Sequence, residues 1–217
     1  MNLLYFDTST DWITVQIWNL SNKELLYNFK ESCPREASYR LTTEIKKSLV
    51  HLQNFKPDLI VIAKGPGSFT GIRIAVTTAR NLSQLWNIPC YGIDTLEVYL
   101  DYYTQIMKID TCLVAIDGKM KKYFVRFKDA MKTTNTQDLT LLEMIDKYLK
   151  NQDPNFTIIS NISMDIQTKV LDINENYPDL KGIILSEKLD FLLDSSISKE
   201  YNYTNLIPNY MRGTYVD

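Results

Sequence analysis

The chain has 217 residues, of which 45% are hydrophobic, 12% aromatic and 23% charged, the balance of a globular protein forming one domain or two small ones. A formal net charge of −2 argues against autonomous, phosphate-driven nucleic-acid binding, and only seven Gly and seven Pro exclude collagen-like and low-complexity chains. One histidine, His51, and three scattered cysteines argue against a multi-histidine catalytic centre or a His/Cys metal site.

Leu3 to Phe6 is a short apolar run ending at Asp7, and after a turn Ile13, Val15 and Ile17 alternate with Thr14 and Gln16, the period of a half-buried strand. A third strand over about Leu25 to Lys30 completes an antiparallel meander. The period then changes: Leu41, Ile45, Leu49 and Leu52 recur at helical spacing between Glu36 and Leu52. Leu59 to Ala63 is continuously apolar, as expected of a strand buried on both faces. A Gly-rich loop follows, then a helix over Thr70 to Trp86, a short strand at Cys90 to Ile93, and a helix from the capping-box pattern Asp94-Thr95-Leu96-Glu97 to about Met107. This order predicts a mixed five-stranded sheet with helices against its faces. Leu113 to Ile116 and Tyr123 to Phe127 read as a hairpin, Leu139 to Leu149 as helical, and Thr157 to Ser160 and Gly182 to Leu185 as strand-like. A change of texture near residue 105 suggests a first lobe over 1–105 and a smaller α/β lobe over 106–217, whose last segment is allowed to pack back on the first.

The beginning of the chain carries no basic stretch followed by an apolar run, no apolar segment reaches bilayer length, and Cys33, Cys90 and Cys112 share no pairing pattern. The expected setting is the reducing cytoplasm, without a membrane partner. Cys90 and Cys112 read as small core residues.

Three motifs bear on chemistry. Gly65-Pro66-Gly67-Ser68-Phe69-Thr70-Gly71, between a buried strand and a helix, stands where phosphates are commonly bound by backbone N–H groups. It lacks the Gly-Lys-Ser/Thr ending of a P-loop, so a tight turn with close glycine packing is the favoured reading. Asp7-Thr8-Ser9-Thr10 and Asp117-Gly118 sit where an actin-like or sugar-kinase-like ATPase carries its two phosphate hairpins. Ser9, however, replaces a desired glycine, and Lys119 and Met120 replace small hydroxyl residues. The segment Lys119 to Lys128 interleaves cations with aromatics and is suited to RNA. Against that stands a hairpin with Tyr123, Val125 and Phe127 inward and Lys122, Arg126 and Lys128 outward, its lysines guarding an edge; this is the favoured reading.

The helix over Thr70 to Trp86 is the most informative element. Ile72, Ala75, Val76, Ala79, Leu82, Ser83 and Trp86 form one stripe, widened by Ile74, Thr78 and Leu85, leaving Arg73, Thr77, Arg80 and Gln84 on the other side. An arc of about half the wheel exceeds the roughly 100° needed to cover one sheet face. Either the helix is buried between two layers of its own fold, or part of the arc, with Leu41 and Ile45 of the preceding helix, meets a partner.

The loop Gly65 to Ile72 with Arg73 closely resembles that of the bacterial TsaB (YeaZ-like) proteins. Asp7-Thr8-Ser9-Thr10, Pro34-Arg35 with Ser38 and Leu41, Ile88-Pro89 with Gly92, Ala115-Ile116-Asp117 with Met120 and Tyr123, and Pro208 with Tyr210 and Arg212 follow in the family's order. Departures are Ala37-Ser38 for the common His-Ser, Asp117-Gly118-Lys119-Met120 for the usual Asp-Ala-Arg-Met, and Lys122 for an acidic residue. The resemblance implies an α/β actin-like (ASKHA, ribonuclease H-like) fold, with no catalytic residue, cofactor or metal of its own. It also implies a role in forming N6-threonylcarbamoyladenosine in tRNA beside the anticodon, through the catalytic paralogue TsaD and the ATPase TsaE, with a homodimer when alone and tRNA reached only within the complex. The alternative is an ATP-dependent enzyme of the actin-like superfamily using Asp7 and Asp117.

Overall fold

The computed structural model describes residues 1–52, 55–150, 156–163, 168–186, 188–189 and 203–212. Contacts divide the chain into two units, the first formed by Met1–Thr95 with the described residues from Lys188 to Tyr210, the second by Leu96–Ser186 with Met211 and Arg212. The division therefore falls at Thr95, ahead of the helix that the change of texture at residue 105 follows.

The first unit is built on β1 (Asn2–Asp7), β2 (Trp12–Asn19), β3 (Glu24–Ser32), β4 (Leu59–Ala63) and β5 (Cys90–Ile93), in the order β3-β2-β1-β4-β5. β1, β2 and β3 pair antiparallel, while β4 runs parallel to both β1 and β5. This is the expected meander extended by crossover strands. The expected helices are α1 (Ala37–Ser48), continued by a 3-10 turn at Leu49–His51, and α2 (Phe69–Trp86). Leu4, Phe6, Val15, Ile17, Ile60 and Ile62 of the sheet close on Leu41 and Ile45 of α1 and on Ile72, Ala75, Val76 and Ala79 of α2. α2 starts where the Ser68 hydroxyl accepts the Gly71 N–H at 3.3 Å and stops where Asn87 turns left-handed with φ of 51°.

The second unit contains α3 (Thr95–Gln105), β6 (Cys112–Asp117), β7 (Lys122–Lys128), β8 (Gln137–Thr140), α4 (Leu141–Met144), a π-helical turn at Ile145–Leu149, β9 (Thr157–Ser160), β10 (Lys169–Asp172) and α5 (Lys181–Leu185). Its sheet order, β8-β7-β6-β9-β10, repeats that of the first unit strand for strand, with β7 and β8 antiparallel and β9 and β10 parallel. Two such mixed five-stranded sheets with helices constitute the α/β actin-like fold expected from the sequence.

Two local readings are corrected and one strand is added. Leu139 and Thr140 belong to β8, where Leu139 pairs with Tyr123, and the helix begins only at Leu141, under a capping box between Thr140 and Glu143. The run from Gly182 to Leu185 is helical, and its glycine lies against the backbone of Asp101 and Tyr102 in α3. A short apolar run does not by itself distinguish a buried helix from a strand. β10 escaped notice because it is a partly exposed edge strand without alternation.

Candidate functional site

β1 and β6 occupy equivalent central positions, and each ends in an aspartate whose Oδ1 accepts the N–H two residues on. Ser9 N donates to Asp7 at 2.7 Å and Lys119 N to Asp117 at 2.8 Å. Sheet topology thus makes Asp7 and Asp117 a corresponding pair. Their surroundings differ. Asp7 is buried, whereas Asp117 is partly exposed, pairs with the Lys119 ammonium, and has its own N–H held by Asn161 Oδ1 at 3.0 Å. Burial would raise the Asp117 pKa, but the Lys119 bonds and charge outweigh it and hold the carboxyl below its usual range.

In the first unit the Gly-rich loop closes directly on the β1–β2 turn. Ser68 N donates to the Ser9 carbonyl at 2.6 Å, and the Thr8 hydroxyl donates to the Gly71 carbonyl at 2.8 Å. A methyl group on Gly71 would stand 1.8 Å from the Thr8 carbonyl oxygen, and one on Gly67 2.2 Å from that of Ser9. Glycine is required here for backbone-to-backbone approach. The N–H groups of Ser68, Gly71 and Ile72 at the start of α2 are taken by Ser9 O, Ser68 Oγ and Ser68 O. Three amides at this turn are thus bonded within the chain. The Thr95 hydroxyl accepts the Gly65 N–H at 3.1 Å, which ties the loop to the residue after Asp94.

The second hairpin also departs from a phosphate grip. Lys119, Met120 and Lys121 all have positive φ, at 61°, 54° and 59°, and point the turn by backbone conformation. Arg212 holds it from the side, donating to the Gly118 carbonyl at 2.8 Å while binding Asp138 through two nitrogens at 2.6 and 2.5 Å. Asp138 is held below the usual carboxylate range first by its hydrogen bond from Arg212 and by that guanidinium's charge. Among the described residues no cluster of three His, Cys, Asp or Glu is arranged to hold a metal ion.

The basic hairpin is committed to its own unit. Lys119 pairs with Asp117, Lys122 with Asp138 at 3.5 Å, Arg126 with Glu97 at 3.5 Å, and Lys128 Nζ donates to the Thr104 hydroxyl at 3.4 Å. Val125 and Phe127 face the core, but Phe124 is buried too, and β7 is no edge, since β8 covers it. Charges already paired to carboxylates contribute little to binding RNA phosphates. His51 lies at the end of the α1 segment with its ring 5.2 Å from that of Tyr27. Cys33, Cys90 and Cys112 are buried and free.

The residues expected at a partner interface lie mostly inside the first unit. Leu41, Ile45, Ile72, Ala75, Val76, Ala79 and Ser83 are buried, none more than 4% exposed, and Leu82 is half-buried. The centre of the arc serves the fold's own layers, where α2 meets the sheet and α1, whereas Leu85 at its edge stays exposed. What remains outward is Phe69, Thr70, Arg73, Thr77, Arg80, Asn81 and Gln84, together with Leu85 from the edge of the arc, which is 75% exposed. With Ser38 of α1 and Ile74 and Thr78, part of this set lines a shallow groove of about 390 Å³. Phe69 is 49% exposed and lies under the Arg73 guanidinium, 5.3 Å from its centroid. Its aromatic neighbour, Tyr210, lies far along the chain, so sequence spacing carries no sign of that contact.

A family model described as TsaD: tRNA N6-adenosine threonylcarbamoyltransferase matches residues 31–176. The chain is 28% identical over 193 residues to the tRNA threonylcarbamoyladenosine biosynthesis protein TsaB of Buchnera aphidicola subsp. Schizaphis graminum, covering 84% of this chain and 90% of that protein. It is 26% identical over 218 residues to the protein of the same name from Buchnera aphidicola subsp. Acyrthosiphon pisum, covering 92% and 97%. Its fold is similar to that of YeaZ from Pseudomonas aeruginosa, with a TM-score of 0.74 at 18% identity over 97% of this chain and all of that one.

Proposed function

Because this chain belongs to the family of that model, and within it to the TsaB (YeaZ-like) proteins, we propose that it is a non-catalytic subunit supporting the formation of N6-threonylcarbamoyladenosine in tRNA. In this reading it binds the catalytic paralogue TsaD through the outer face of α1 and α2, the ATPase TsaE joins the assembly, and tRNA is engaged only by the complex. The observation that carries the reading is the closed contact between residues 65–71 and the β1–β2 turn. Backbone atoms of Ser9 and Thr8 occupy the space into which a phosphate would have to enter.

The docking face is assigned to Phe69, Arg73 and Thr77 with Ser38, because the stripe of the same helix expected to meet the partner is already buried. A half-exposed aromatic beside an arginine, rimmed by hydroxyl groups, has the composition of an interface anchor.

Mixing the protein with the cognate TsaD and measuring mass by light scattering tests the reading; a stable complex is expected. A titration with ATP, with and without magnesium, tests the enzymatic alternative. Micromolar or tighter binding that disappears in Asp7→Ala would overturn the non-catalytic assignment.

A further inference from the structure

Resting on that docking face, we propose that Tyr210 is a positioning residue that holds Phe69 ready for the partner. Phe69 opens α2, and its ring, half-exposed and lining the groove, lies against Tyr210 in a tilted contact with a centroid distance of 5.1 Å and an angle of 32°. The backbone leading to Tyr210 is anchored. Leu206 is buried against Gly92, Asn209 N donates to the Lys64 carbonyl at 2.8 Å, and Asn209 Nδ2 donates to Asp94 at 3.2 Å. The Asn209 carbonyl lies where a side chain on Gly65 would begin, so this segment is seated on the base of the Gly-rich loop.

The anchorage matters for binding because a half-exposed aromatic must surrender side-chain freedom when a partner covers it. A ring already in contact with both Tyr210 and the Arg73 guanidinium has less left to surrender. Residues 206–210 therefore add no contact of their own in this account. They lower the entropic cost of using one that α2 supplies.

Calorimetric titration of the full chain into the cognate TsaD is the test, using Tyr210→Ala, Tyr210→Phe, Phe69→Ala and the Tyr210→Ala/Phe69→Ala pair. Tyr210→Ala is expected to weaken binding about three- to tenfold, the loss that goes with freeing one ordered side chain. Tyr210→Phe should bind like the wild type, since the ring and not the hydroxyl makes the contact. The double variant should bind no more weakly than Phe69→Ala alone, because Tyr210 acts through Phe69. Tyr210→Leu, which retains apolar bulk, guards against a folding defect and should fold normally yet still lose affinity. Wild-type affinity in both Tyr210→Ala and Tyr210→Leu, or losses that add in full in the double variant, would overturn the positioning role. If Phe69→Ala itself binds like the wild type, or no complex forms, the docking face falls and the inference with it. A loss in Phe69→Ala without one in the Tyr210 variants leaves the docking face standing and removes only the inference.

Discussion

At the residue scale, two positions concentrate the physical constraints of the first unit. Gly67 admits no side chain, since a Cβ there would meet the Ser9 carbonyl oxygen at 2.2 Å and its carbon at 3.0 Å, both backbone atoms that move only with the β1–β2 turn. Gly67→Ala is expected to cost about 3 kcal/mol or more, an overpacking value at its upper end, measurable by urea denaturation. Glu44 is the second. It is 1% exposed on α1, accepts Tyr27 Oη and Lys47 Nζ, each at 2.8 Å, and faces Arg40 Nε at 3.5 Å. Burial would raise its pKa, but the bonds from Lys47 and Tyr27 and the charges of Lys47 and Arg40 together lower it. Tyr27 is correspondingly pushed up to about 12, by burial first and then by Glu44. A carboxyl whose folded pKa lies below its unfolded value stabilises the fold above the ordinary carboxylate range, and that contribution is lost as pH falls through the lowered value. Glu44→Gln should therefore be less stable than the wild type at pH 7, by about 1–3 kcal/mol for a buried charge-assisted network, and the gap should shrink on acidification below about pH 4. Equal midpoints at pH 7 would show that the network is idle. The bond that satisfies buried Glu44 comes in part from Tyr27 of β3, a partner that helical periodicity does not reveal.

At the scale of elements, periodicity predicted the meander, α1, β4, α2 and the β6–β7 hairpin, because each carries an uninterrupted apolar period or run. It failed where a residue's role depends on a neighbouring element. Leu139 is a strand residue only because β7 is there to pair with it, and position 182 must be glycine because the α3 backbone leaves no room for a side chain. Gly182→Ala would set a methyl 2.4 Å from Asp101 C and Tyr102 N, and should destabilise the second unit by about 1–3 kcal/mol in a denaturant melt. The turn between β6 and β7 tests the opposite sign. Met120 is 69% exposed in a left-handed conformation, so Met120→Gly removes little packing and relieves the Cβ clash. A gain of about 0.5–1 kcal/mol is expected, read as a rise in the unfolding midpoint.

At the scale of the whole molecule, the chain repeats one sheet topology in two units and retains an aspartate at the end of the first strand of each. The repetition is hidden in the sequence because β8 and β10 are four-residue strands without alternation, and only eight residues join β9 to β10, where α2 occupies the equivalent crossover of the first unit. The burial of α2 also separates two kinds of variant that an interface on its apolar arc would treat alike. Val76→Arg places an unpaired charge at a site 3% exposed and is expected to destabilise the first unit by about 3–5 kcal/mol. Thr77→Arg, one position on and exposed, should leave the melting temperature nearly unchanged while weakening the mass-detected complex with TsaD. A Val76→Arg protein that melts like the wild type would contradict the burial described for α2.

The sequence by itself determined the strand and helix order of the first unit, the position of the Gly-rich loop, and the family to which the chain belongs. These are written in local periods, and in short motifs whose glycines answer to backbone geometry. The tertiary structure alone decided which face of α2 is outside, that the loop glycines close on Thr8 and Ser9 rather than on a ligand, and that Tyr210 reaches Phe69. An apolar arc states how much surface a helix must bury but not against what. That choice is made by contacts between residues distant in the chain, which no local pattern records.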